Sequence, residues 1–137
     1  MRKLFWIALM GAGCVLAQNG RTLQVEVTYT GSGTVDASHK IYVALWDSAE
    51  VSSAMPVQVK SLDTKHGTVT FMDVEKSPAY VSTAYDPSGS WDAQSPPPSG
   101  TSLGIYSANP PKPDPIEVAP GKTAKVKVTF DDTNKVP

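Results

Sequence analysis

The segment Asp86-Pro87-Ser88-Gly89-Ser90-Trp91-Asp92 places oxygen-bearing side chains at alternate positions around a central glycine. That spacing suits a hard cation. Calcium takes about six to eight oxygen ligands, and Asp86, Ser88, Ser90 and Asp92 would supply the first of them. Two carboxylates are few for such an ion, and the helix-loop-helix setting of an EF-hand is missing. The competing reading is a polar turn in which Asp86 accepts hydrogen bonds from the amides that follow it. The sequence calls for no cofactor, and calcium is the one ion its residues suggest.

A second group is aromatic. Trp91 sits in a polar loop, Tyr106 follows downstream, and Trp46 ends an apolar run. Flat aromatic rings presented on a rigid scaffold can stack on sugar rings as they do on other apolar faces. The alternative is that Trp46 and Tyr42 belong to the core and that Trp91 folds back over an edge.

Hydrolytic chemistry finds less support. His39 and His66 both fall at expected turns, far apart in the chain, and no Gly-x-Ser-x-Gly elbow occurs. A Ser-His-Asp triad is defined by geometry, which spacing alone does not supply. Zinc would need more than two histidines once Cys14 is set aside. The run Ser95-Pro96-Pro97-Pro98-Ser99 suits a polyproline II stretch, either a stiff surface loop or a segment that a partner grips.

These residues must be held by strands. Apolar and polar residues alternate with period 2 in almost every segment, and helical periodicity is absent. Residues 22–30 (TLQVEVTYT) put Leu23, Val25, Val27 and Tyr29 on one face. Residues 40–47 (KIYVALWD) are apolar on both faces, which fits the middle of a sheet. Residues 56–62 and 68–73 predict strands with Val57, Val59, Val69 and Phe71 inward, and Lys65-His66-Gly67 between them reads as a hairpin turn. Residues 79–85 predict a further strand. Nine of the twelve prolines lie between Pro87 and Pro120, so residues 86–113 read as a long excursion. Residues 115–118 read as a short strand and residues 119–122 as a turn. Residues 123–130 (TAKVKVTF) turn Ala124, Val126, Val128 and Phe130 inward and Lys125 and Lys127 outward. Residues 131–137 are expected to fray. Seven strands without a helix between them predict an all-β, seven-stranded antiparallel β-sandwich, since parallel pairing usually needs crossover helices.

The N-terminus reads as a signal peptide. Arg2 and Lys3 precede the apolar run LFWIALM, and Val15-Leu16-Ala17 fits a cleavage site before Gln18. The expected organisation is a signal peptide over residues 1–17 and one sandwich domain over residues 18–137. Cleavage would remove Arg2 and Lys3, leaving 10 basic against 13 acidic residues, and would remove Cys14, the only cysteine. Such a domain carries no disulfide and depends on its apolar core. Its mild negative charge argues against nucleic acid. Gly11-Ala12-Gly13-Cys14 also resembles a lipobox, with Gly11 where leucine is usual, so a lipid anchor through Cys14 is a second reading beside periplasmic or secreted export.

The order KIYVALWDS, GTVTFMDV, YVSTAYDPSGSWD, then Leu103-Gly104-Ile105-Tyr106 and a terminal amphipathic strand resembles a bacterial family of exported domains of unknown function. These are similar to the prealbumin-like sandwiches, including the regulatory domains of carboxypeptidases. The resemblance covers roughly residues 40–130. It departs at Glu75-Lys76-Ser77-Pro78, which replaces a glycine-led turn, and in the proline content of the loop after Tyr85. It implies a Greek-key sandwich and an exported location, and no enzymatic activity.

The expectation is therefore a non-enzymatic binding or interaction module of the cell envelope. Its partner would be an envelope protein or a glycan, contacted through the loop over residues 86–113. A carbohydrate-binding domain using Trp91, Tyr106 and Trp46 is the alternative, and a hydrolase a distant third.

Overall fold

The computed structural model describes residues 20–51 and 55–137. Residues 1–17, expected from the sequence to be a signal peptide, lie outside the described residues, Cys14 among them. The described residues form seven strands and no helix: β1 (Thr22–Tyr29), β2 (Ile41–Trp46), β3 (Gln58–Leu62), β4 (His66–Phe71), β5 (Tyr80–Tyr85), β6 (Ser102–Ile105) and β7 (Thr123–Phe130). They make two sheets, ordered β4-β1-β7 and β3-β2-β5-β6. No helix among the described residues is long and apolar enough to cross a membrane.

The alternation in β1 sets the pattern. Leu23, Val25, Val27 and Tyr29 are buried and the residues between them are half-buried. Ile41, Val43 and Leu45 of β2 and Val81 and Tyr85 of β5 come from the other sheet into the same core cluster as Phe71 and Phe130. Burying each such side chain is worth about 1.5–3 kcal/mol. Truncating Phe71, fully buried at 0 % exposure, to alanine is expected to cost about 3–5 kcal/mol.

Several features differ from the sequence-based expectation. The sandwich is not wholly antiparallel: β1 pairs with β7 in parallel, from Thr22↔Thr123 to Tyr29↔Phe130. No crossover helix is needed because the five intervening strands themselves form the crossover. Lys65-His66-Gly67 is not a hairpin turn. His66 and Gly67 open β4, and β3 and β4 belong to different sheets, so residues 63–65 turn the corner between them. Val57 and Val59 do not point inward; they are 52 % and 37 % exposed. The excursion over residues 86–113 contains β6. Residues 115–118 contribute a single bridge, Ala79↔Ile116, instead of a strand.

The C-terminal segment does not fray. Leu103 N donates to Asn134 O at 2.8 Å, Val136 N to Thr101 O at 2.9 Å and Gly100 N to Val136 O at 2.8 Å. This covers the free edge of β6, an edge that would otherwise invite pairing with another chain. At the opposite edge of that sheet, β3 carries Lys60, a charge that discourages the same event.

Candidate functional site

The two outer faces of the sandwich differ in chemistry. On β4-β1-β7 the register brings together Gln24, Glu26 and Thr28 with His66, Thr68 and Thr70 on one side and Lys125, Lys127 and Thr129 on the other. That face is polar and charged. On β3-β2-β5-β6 the inward positions of β2 are Ile41, Val43 and Leu45, so Tyr42, Ala44 and Trp46 face out. They stand beside Ser61 and Val59 of β3 and beside Ala84, Ser82 and Tyr80 of β5. Leu103 and Ile105 of β6 continue the row. None of these outward strand positions carries a charge. Val59 and Leu103, each 37 % exposed, are its most accessible apolar strand residues.

Trp46 and Trp91 occupy opposite ends of β2 on this face. Trp46 is buried and its Nε1 donates to Ser82 Oγ at 2.9 Å. Trp91 meets Tyr42 edge-on, with ring centroids 5.1 Å apart and an interplanar angle of 80°. Tyr42 Oη donates to Trp91 O at 3.3 Å, and Trp91 Nε1 donates to Ser95 O at 2.9 Å. Tyr106 lies on the other side of the sheet. It follows β6 in the inward alternation and packs against the core, with its amide donating to Val81 O at 3.0 Å. The structure thus does not gather Trp46, Trp91 and Tyr106 into one platform.

The loop after β5 is organised by Asp86, which is 3 % exposed. Its carboxylate accepts from Ser88 N at 2.9 Å, Ser88 Oγ at 2.8 Å, Ser90 N at 3.2 Å and Trp91 N at 3.0 Å. Burial alone would raise the Asp86 pKa, but the Ser88 side chain and the amides of Ser88, Trp91 and Ser90 outweigh it and hold the carboxyl below its usual range. Gly89 sits at φ 74°, in the left-handed region, against Ser38 O and the His39 ring. Of the four residues with calcium spacing, Asp86, Ser88 and Ser90 converge. Asp92 instead accepts from Gln94 N at 2.9 Å and Ser95 Oγ at 3.2 Å. The Asp86 oxygens are engaged by the loop's own donors, and no group of three or more His, Cys, Asp or Glu residues that could hold a metal occurs among the described residues.

Neither histidine stands alone. His39 Nδ1 meets Asp36 Oδ1 at 2.9 Å, and this contact, with the Ser38 amide, lowers the Asp36 pKa. His66 Nδ1 meets Thr28 Oγ1 at 2.7 Å while its Nε2 lies 3.4 Å from Glu26 Oε2. Hydroxyl, imidazole and carboxylate are in series here, an arrangement hidden in the sequence because it depends on the β1–β4 register. It lies on a flat strand face. β1 is paired on both sides, so its backbone amides are committed to the ladders and leave no free pair to hold an oxyanion.

In comparisons with protein-family models, with curated proteins and with solved structures, nothing matches this chain.

Proposed function

We propose that this chain is an exported, non-catalytic binding module of the cell envelope, and that the uncharged outer face of β3-β2-β5-β6 is where it meets a protein partner. The carrying observation is the asymmetry of the two outer faces. Covering a face without charges incurs no ionic desolvation, whereas covering the Glu26/Lys125/Lys127 face does. Apolar cores with few charges are also what distinguish the centres of protein interfaces. The export reading is supported by the charged and apolar runs of residues 2–16 and by the small-residue site before Gln18. Seven strands in two sheets are consistent with a prealbumin-like domain of Greek-key type, and we carry that resemblance forward on this basis.

A protein partner is favoured over a glycan because the aromatic rings are already engaged. Trp46 is buried, Trp91 is tied to Ser95 and Tyr42, and Tyr106 faces the core. Among the described residues, Trp46, Trp91 and Tyr106 therefore offer no shared exposed platform for a sugar.

The test compares the processed protein with a Val59→Glu/Leu103→Glu double variant in sedimentation with isolated cell envelopes. Wild type is expected to sediment with envelopes and to lose that property when the envelopes are first treated with protease. The double variant is expected to stay in the supernatant while remaining folded, since both sites are exposed. Retention that survives protease but is abolished by glycan-degrading enzymes would replace the protein reading with the glycan one.

A further inference from the structure

We propose that the groove at the end of the sandwich where β2 closes and β5 begins binds a cationic, amphipathic peptide segment. The groove encloses about 360 Å³, within the range of roughly 300–1,000 Å³ common for ligand sites. Its floor is apolar, built from Leu45, Trp46, Val57, Val74 and Ala79. Its lining also carries Asp47, Asp73, Glu75 and Lys76.

The rim charges are unequally engaged. Lys76 Nζ lies 3.5 Å from Asp47 Oδ2. Among the described residues no ion pair engages Asp73 or Glu75. The Arg21 guanidinium stands beside them, its Nη1 donating to Glu75 O at 3.2 Å, so three carboxylates face two cations and the rim keeps a net negative charge above an apolar floor. Two of the most exposed large hydrophobic residues of the described chain belong to its wall or adjoin it: Val57 at 52 % and Met72 at 58 %. Met72 precedes Asp73, and its carbonyl accepts from Gln58 Nε2 at 3.0 Å, which joins it to the groove wall. Methionine side chains adapt their shape to a bound apolar group.

Each half of this surface selects a ligand property. The floor takes an aliphatic or aromatic side chain, and the rim takes Lys or Arg and repels anions. A peptide with an apolar centre between basic residues supplies both in one chain. This site adjoins the sheet face and shares Trp46 with it, but its test turns on Asp73 and Glu75, whereas that of the sheet face turns on Val59 and Leu103.

The probe is the acetylated, amidated pentapeptide Lys-Leu-Phe-Leu-Lys, titrated into the isotope-labelled processed protein and followed by amide chemical shifts. Controls are Glu-Leu-Phe-Leu-Glu and Lys-Gly-Gly-Gly-Lys. The first peptide is expected to shift the amides of Leu45, Val57 and Val74, and both controls to bind at least about tenfold more weakly. An Asp73→Asn/Glu75→Gln double variant, both sites exposed, is expected to weaken the lysine peptide about tenfold. Leu103→Glu, on the opposite edge strand of the sheet, is expected to leave its binding unchanged. Absence of shifts at millimolar peptide, equal binding of the glycine control, or unchanged affinity in the Asp73/Glu75 variant would each overturn the proposal.

Discussion

Tyr29 on β1 donates its phenolic proton to the carboxylate of Asp132, a residue 103 positions further along the chain. The same carboxylate accepts from Ser102 Oγ at 2.7 Å and from Ser32 N at 3.0 Å. A Cβ at Gly31 would collide with both the Tyr29 hydroxyl and Asp132, so glycine is what lets the two meet. Burial, reinforced by Asp132, pushes the Tyr29 hydroxyl up to about 12. Hydrogen bonds from Tyr29 and Ser102 bring Asp132 down to about 2. The pair links the first strand, the edge strand β6 and the C-terminal segment.

Replacing Asp132 by asparagine is expected to destabilise the fold by about 1–2 kcal/mol, the scale of a charge-assisted hydrogen bond that is partly solvated. The effect has a pH signature. The Asp132 pKa is lowered from 3.8 to about 2 on folding, so its contribution is complete above the unfolded value and is lost as pH falls toward the folded one. Urea unfolding should show a gap between wild type and Asp132→Asn at neutral pH that closes at pH ~2. A gap of equal size at both pH values would show that the carboxylate charge is not responsible.

Asp86→Ala should cost about 1–2 kcal/mol, because it removes the shared acceptor of the part-buried Ser88, Ser90 and Trp91 amides. It should also release Trp91 from Tyr42, seen as red-shifted emission and stronger acrylamide quenching. Added calcium should leave the melting temperature of wild type unchanged, since the carboxylate oxygens are already occupied by Ser88, Ser90 and Trp91. A calcium-dependent rise that Asp86→Ala removes would restore the cation reading.

Thr83 is buried on the inner face of β5, and its Oγ1 has no hydrogen-bond partner among the described residues. Replacing that hydroxyl by a methyl group in Thr83→Val should be neutral or stabilising by up to about 1 kcal/mol. Tyr85→Phe, two residues on, should instead lose about 1 kcal/mol, because the Tyr85 hydroxyl donates to Thr34 O at 2.6 Å. Urea midpoints measured together decide both. A destabilised Thr83→Val would mean that the hydroxyl is satisfied in solution.

The strands that alternate cleanly were legible. Val25, Val43 and Phe130 are buried as their two-residue period requires. Period 2 separates two faces but does not say which one meets the core, and that is where Val57 and Val59 misled. Gln58 and Lys60 alternate with them as polar residues should on an outer face, yet β3 is an edge strand and its register on β2 sets Val59 opposite the outward Ala44. The parallel partnership of β1 with β7 and the Tyr29–Asp132 contact join distant parts of the chain, so no local pattern announces them. The candidate site was legible by half. The turn chemistry of Asp86 followed from its spacing to Ser88 and Ser90, whereas the separation of Tyr106 from Trp91 by the sheet itself depends on three-dimensional pairing. The groove at Asp73 and Glu75 left no linear motif, because its floor comes from four separate segments.

The uncharged face is tested most directly by a photo-crosslinking amino acid placed at Val59, and separately at Lys127 on the charged face, in cells producing the full chain. The Val59 probe is predicted to give a discrete adduct to an envelope protein and the Lys127 probe none. Adducts from Lys127 alone, or indistinguishable adducts from both faces, would contradict the account.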